Sequence, residues 1–112
     1  MVSRISRSGT PTSPRAHIPW LLGHAYMLTG KKKDAIEQFK NSIAINPNFL
    51  PAHAYLAFMY SEAGKTEEAR SHLAEVTRIS PGATAENLRG RLPYKDGAIT
   101  ERIITALKRV EG

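Results

Sequence analysis

Few side chains in this sequence have the chemistry for a reaction or a metal. The candidates are four histidines, His17, His24, His53 and His72, and ten Asp or Glu residues. His17 and His24 stand two helical turns apart, a spacing that sets both on one helix face and would suit a metal ion. The chain has no cysteine, and no carboxylate lies near that pair to complete a ligand set. Asp34 with Glu37, and Glu67 with Glu68, fall where helices begin, so the positive end of the helix dipole accounts for them. No glycine-rich loop suits a phosphate, and no Ser or Thr sits in a nucleophile-elbow setting. These residues predict no enzyme, no cofactor and no bound metal.

Charge narrows the classes further. Sixteen basic against ten acidic side chains give a formal charge of +6, and Arg4, Arg7 and Arg15 supply half of the excess. Lys31, Lys32 and Lys33 form the only dense basic run, just after Gly30, where a turn with a solvated surface is the expectation. A nucleic-acid role would have to rest on these two clusters without a base-reading element, so it ranks last. No apolar run approaches the roughly 18 residues of a membrane span. The start of the chain has arginines but no apolar core of a secretory signal. Together with the missing cysteines, this predicts a cytoplasmic location.

The elements that must position any site are helical. Residues 1–15 hold nine Ser, Thr, Gly or Pro and are expected to be a flexible segment. From His17 onward, Ile18, Leu21, Leu22, Ala25 and Leu28 recur at spacings of three and four, and Thr29-Gly30 stops the run. A second helix is expected over about 32–45, with Ala35, Ile36, Phe39, Ile43 and Ala44 as its apolar side, broken by Asn46-Pro47-Asn48. A third follows from about Pro51 to Ala63. The fourth runs to about Ile79, with Thr66 as its expected N-cap and a stop at Ser80-Pro81-Gly82.

Shifted by 34 residues, the chain matches itself. Seven identities relate residues 16–48 to 50–82: Leu22 with Leu56, Tyr26 with Tyr60, Gly30 with Gly64, Lys31 with Lys65, Ala35 with Ala69, Ile45 with Ile79 and Pro47 with Pro81. Small residues at Gly23, Ala57, Ala35 and Ala69 let paired helices approach closely. Leu22, Tyr26, Leu56 and Tyr60 are expected to fill the space between them. A helix–turn–helix unit of this period resembles the tetratricopeptide repeat. The resemblance implies an all-α fold with repeat units at 16–49 and 50–83. Ser42 and Val76 depart from the small residue usual in the second helix, and Trp20 stands one place later than the usual tryptophan.

Residues 84–112 leave the repeat. Gly90 and Pro93 cut short a third unit begun at Thr84, and Asp96 looks like the N-cap of a last helix from about Gly97 to Val110. Ile99, Ile103, Ala106, Leu107 and Val110 make it amphipathic, as suits a helix capping the open end of a repeat stack. The string Arg91-Leu92-Pro93-Tyr94-Lys95-Asp96, with Glu101-Arg102 and Leu107-Lys108-Arg109, resembles the C-terminus of bacterial proteins that join a class III adenylate/guanylate cyclase domain to such repeats. That resemblance implies a regulatory tail of a signalling protein, or a truncated relative, without cyclase activity.

What remains is binding surface. In the tetratricopeptide family the first helix of each unit lines a concave groove. By alignment that groove would present His17, Trp20, His24, Met27 and Leu28 from the first unit and Pro51, Ala54, Phe58, Ser61 and Glu62 from the second. None of these is the Lys, Arg or Asn with which some members grip a peptide carboxylate. The expected partner is therefore a protein or peptide with an apolar or helical segment, held by Trp20, Met27 and Phe58. Core packing of Trp20 and Phe58 under another helix is the competing reading. A homodimer, formed through the groove or the last helix, is the alternative function.

Overall fold

A computed structural model describes residues 14–92 and 97–111, in two compact units that divide after Phe49. The first holds α1 (Pro14–Leu28) and α2 (Lys32–Ile45). The second holds α3 (Leu50–Glu62), α4 (Thr66–Ile79), the single turn α5 (Ala85–Leu88), a 3-10 turn (Arg89–Arg91) and α6 (Gly97–Glu111). No strand occurs among the described residues.

The two hairpins share their turn geometry to within a few degrees. Gly30 and Gly64 take φ of 83° and 79°, a left-handed conformation that glycine adopts without steric cost. Each sits in a helix-ending motif in which the N–H three residues past the helix reaches back five residues: Lys31 donates to the Tyr26 carbonyl and Lys65 to the Tyr60 carbonyl, both at 2.9 Å. The second helices end alike. Asn46 donates to Ser42 and Ser80 to Val76, again both at 2.9 Å.

Within unit 1, α1 and α2 touch through their smallest residues. An added Cβ at Gly23 would stand 2.8 Å from Phe39 Cε1, so only glycine allows this approach. Ala16, Ala35 and Phe39 are fully buried there. Ser42 fits because its hydroxyl donates to the Ala16 carbonyl at 2.7 Å, which satisfies a buried polar group. Leu22 departs from expectation. It is 46% exposed instead of filling the hairpin, because α2 lies on the Ala16–Gly23 side of α1.

Three local expectations need correction. α1 begins at Pro14, so Pro14 and Arg15 belong to the helix and not to the leading segment. Proline suits that start, where an N–H has no helical partner. Thr66 is the first residue of α4; the cap position falls on Lys65, which makes no side-chain cap hydrogen bond. Ala44 on α2 is exposed, while Ser42 joins the buried set. The proposed Asp96 cap and residues 1–13 lie outside the described residues.

Unit 2 is built around α3, whose residues Tyr55 to Ser61 are all buried. Helix α4 covers one side of α3 and α6 another. Ile103, Ala106, Leu107 and Val110 of α6 are buried, and Ile104, outside the expected stripe, joins them. α6 thus caps the second repeat. Ion pairs tie it down: the Arg102 guanidinium grips both carboxylate oxygens of Glu62 at 2.6 Å, and Lys108 meets Glu86 of α5 at 2.7 Å. Arg89 bridges Glu86 and Glu101. A Thr84–Asn87 capping box starts α5.

Candidate functional site

The expected first-unit residues come together on α1. His17, Trp20, His24 and Met27 follow one another at helical spacing, and three of them form one ring cluster. Trp20 stacks on His24 at 5.5 Å between centroids and meets His17 edge-on at 5.8 Å. Phe49 closes the cluster, with its ring edge-on to His17 at 4.9 Å and to Trp20 at 6.2 Å. Such edge and offset contacts are the favoured arrangements of aromatic rings. Burial lowers the His24 pKa below its usual value, so its imidazole is neutral at physiological pH. His17 is exposed, whereas Trp20, His24 and Met27 are half-buried.

Phe49 is the residue that helical periodicity missed, because it lies in a turn. It follows Asn46-Pro47-Asn48, and its N–H donates to the Asn46 carbonyl at 3.0 Å. The repeat offset held a signal for it. Its counterpart Ala83 is also buried and also donates across the turn after a proline, to Ser80 at 2.8 Å.

The second-unit residues have a different fate. Ala54 is half-buried. Phe58 is 3% exposed, with the Arg102 guanidinium over its ring at 5.7 Å. Ser61 is 4% exposed and donates to the Ala106 carbonyl at 2.7 Å. Glu62 pairs with Arg102. Phe58, Ser61 and Glu62 are therefore all engaged by α6, an intramolecular helix in the place where a partner helix was expected.

His53 and His72 share one N–H between their Nδ1 atoms at 3.0 Å, and His72 stacks on Tyr60. This pair packs α3 against α4. Among the described residues no three His, Cys, Asp or Glu gather as a metal site. No described helix is long and apolar enough to cross a membrane. An open cleft of about 560 Å³ is lined by α4 residues such as Arg70 and Leu73 and by Val110 and Glu111 of α6, and none of the expected site residues lines it. What the α1 cluster offers is an amphipathic ring surface, which suits recognition by contact.

A family model described as the tetratricopeptide repeat matches residues 26–92, more than half of the chain. No curated protein and no solved structure matches it.

Proposed function

Because the chain belongs to the tetratricopeptide repeat family, generally a non-catalytic scaffold, we propose that it is a protein-interaction module whose partner contributes an apolar or helical segment. The observation that carries this reading is the ring cluster that His17, Trp20 and His24 of α1 form with Phe49. Three of the four stand at positions that line the family's peptide groove. Phe58 and Ser61 contribute to a partner's site only where α6 yields its place to that partner. In unit 1 the available residues are His17, Trp20, His24 and Met27; in unit 2, while α6 is docked, Ala54 is half-buried.

A displayed peptide library panned on the whole chain tests the proposal. Helix-forming sequences with aliphatic faces are expected to enrich, and their binding to fall in Trp20→Ala and His17→Ala variants of unchanged helicity. Ligands that bind both variants as well as the parent would refute the assignment of these residues.

Homodimerisation is the second reading, and its support is narrower. Helix α6 buries its apolar face within unit 2, which leaves the outer side of α1 as the apolar surface for another copy. The narrower placement, at the C-terminal end of a bacterial cyclase-type signalling protein, draws its support from the sequence string of Arg91-Leu92 and Glu101-Arg102. Pro93 to Asp96 of that string lie outside the described residues.

A further inference from the structure

Helices α3 and α4 meet through two imidazoles that hold one proton between them. Nδ1 of His53 and Nδ1 of His72 are 3.0 Å apart. The ring centroids are 5.3 Å apart, close to that distance plus a ring radius at each end, so the rings point nitrogen to nitrogen along one line. Two lone pairs repel at this distance, and a neutral pair closes only as an N–H donor facing a lone-pair acceptor. A metal ion on that line would need about 2.0 Å to each nitrogen, ~4 Å in all, so the spacing fits a proton and not a metal. His53 is buried, and buried Tyr60 stacks on half-buried His72 at 5.7 Å, which holds that ring in place.

The first repeat closes without this contact. Pro19 and Gln38 stand at the counterparts of His53 and His72, although Tyr26 matches Tyr60. A hairpin of this type therefore does not require a histidine pair, and the pair gives unit 2 a property that unit 1 lacks. The charges around it are few. Glu75, one turn after His72, lies within electrostatic reach of both imidazoles, and Arg78 grips it through hydrogen bonds of 2.9 and 2.8 Å. Glu68, one turn before His72, is exposed. α6 directs its charged side chains elsewhere: Arg102 to Glu62, Glu101 to Arg89, Lys108 to Glu86 and Glu111 to the Ala85 N–H, with Arg109 exposed.

We propose that the His53–His72 pair is a proton-operated latch on unit 2, closed while its facing nitrogens hold one proton and open once both rings are charged. Whichever ring donates, its own Nε2 can take a first extra proton with the bond intact. The accepting ring already carries its proton on Nε2, so the next one must go to its Nδ1. That proton takes the lone pair which receives the bond, and two N–H groups and two positive charges then face each other across 3.0 Å. The closed pair thus binds one proton fewer than two separated rings. The two protons are taken up in separate steps, and acid favours opening. Because α6 is fastened to α3 at Ser61 and Glu62, the loosening reaches the seat of α6. The latch stands or falls independently of what the ring cluster on α1 binds.

Hydrogen exchange of the full chain, corrected for intrinsic rates, reads the latch from about pH 7.5 to about pH 5, across the ordinary imidazole range. Opening of α3, α4 and α6 is expected to increase with acid, by up to about tenfold per pH unit, the limit for one proton. In His72→Gln the side-chain amide keeps a donor for His53 but cannot take a charge, and that increase is expected to vanish. The α1 and α2 amides, whose hairpin lacks the pair, are expected to be the same in both chains. Nitrogen NMR of the imidazoles gives a second measure that needs no substitution. A coupling between the two Nδ1 nuclei is expected at the upper pH and is lost as the second proton arrives. An acid-dependent opening of equal size in His72→Gln overturns the proposal. So does a parent chain in which both rings charge while the α3 and α4 amides stay protected.

Discussion

Ser61 of α3 donates its hydroxyl hydrogen to the carbonyl of Ala106, 45 residues later in the chain and 2.7 Å away. The bond is buried, and it fastens the capping helix to the middle of the second repeat. Ser61→Ala removes this bond while the Ala106 carbonyl keeps its place in the α6 ladder, at a cost of about 0.5–1.5 kcal/mol. The expected result is a lower urea midpoint with unchanged helicity at low denaturant. An unchanged midpoint would mean that α6 holds to α3 through its apolar face and Arg102 alone.

Glycines in unit 1 do two different jobs, and substitution separates them. At Gly23 an added methyl would stand 2.8 and 2.9 Å from the ring of fully buried Phe39 and 3.1 Å from the Ala35 carbonyl. Gly23→Ala should therefore destabilise the hairpin by about 1–3 kcal/mol, outweighing the gain of up to ~1 kcal/mol from better helix propensity. At Gly30 nothing lies within 4 Å of the added atom, but φ is 83°. Gly30→Ala should cost about 1 kcal/mol through backbone strain alone. Chemical denaturation of both variants, with hydrogen exchange of the α1 and α2 amides, tests the order; a smaller loss at Gly23 than at Gly30 contradicts the packing argument.

Much of this fold was legible because each repeat writes its geometry twice. Gly30 with Gly64 and Pro47 with Pro81 marked turns whose hydrogen bonds coincide to within about 0.2 Å. Periodicity named most of the α6 face, yet it omitted Ile104, since a helix enclosed by α3, α4 and α5 buries a broader arc than one stripe. The candidate site was half legible. His17, Trp20 and His24 share a face by spacing alone, whereas Phe49 joins them from a turn where no helical period applies. Phe58 and Ser61 were placed on the correct helix, but their cover depends on a segment some 40 residues away that spacing does not connect to them. Leu22 misled for a similar reason: a leucine between two helices and one on an open face have the same sequence signature.

His53 is 4% exposed, and its Nδ1 pairs with that of His72 across the α3–α4 contact. Replacing His72 with Ala removes this bond and the stacked contact with Tyr60, whose ring plane lies 15° from that of His72. The expected loss is about 1–3 kcal/mol, confined to unit 2. Hydrogen exchange should show faster opening of α3 and α4 with α1 and α2 unaffected. Equal acceleration in both hairpins would place the His pair in a different structural role.

Acid should weaken this protein in two separate windows, and the signs follow from which proton-binding state the fold favours. Burial lowers the His24 pKa below its usual 6.5, so the folded chain prefers the neutral ring. That contribution is fully present above pH 6.5 and is lost as pH falls below it, because the unfolded chain then binds the extra proton. On the surface of unit 2, hydrogen bonds from Arg89 and then Lys108 hold Glu86 at about 2, well below its usual 4.5. Its contribution is present above pH 4.5 and is lost as pH falls from there towards about 2. Glu75, lowered by its hydrogen bond from Arg78, acts in the same direction. Thermal unfolding followed from pH 8 to pH 3 is expected to show a first decline below 6.5 that His24→Gln reduces. A second decline, below 4.5, should be reduced by Glu86→Gln and by ~0.5 M salt, which screens exposed pairs. Stability that rose between pH 6.5 and 5 in the parent chain would reverse the sign assigned to His24, and a second decline indifferent to both Glu86→Gln and salt would remove the exposed ion pairs as its cause.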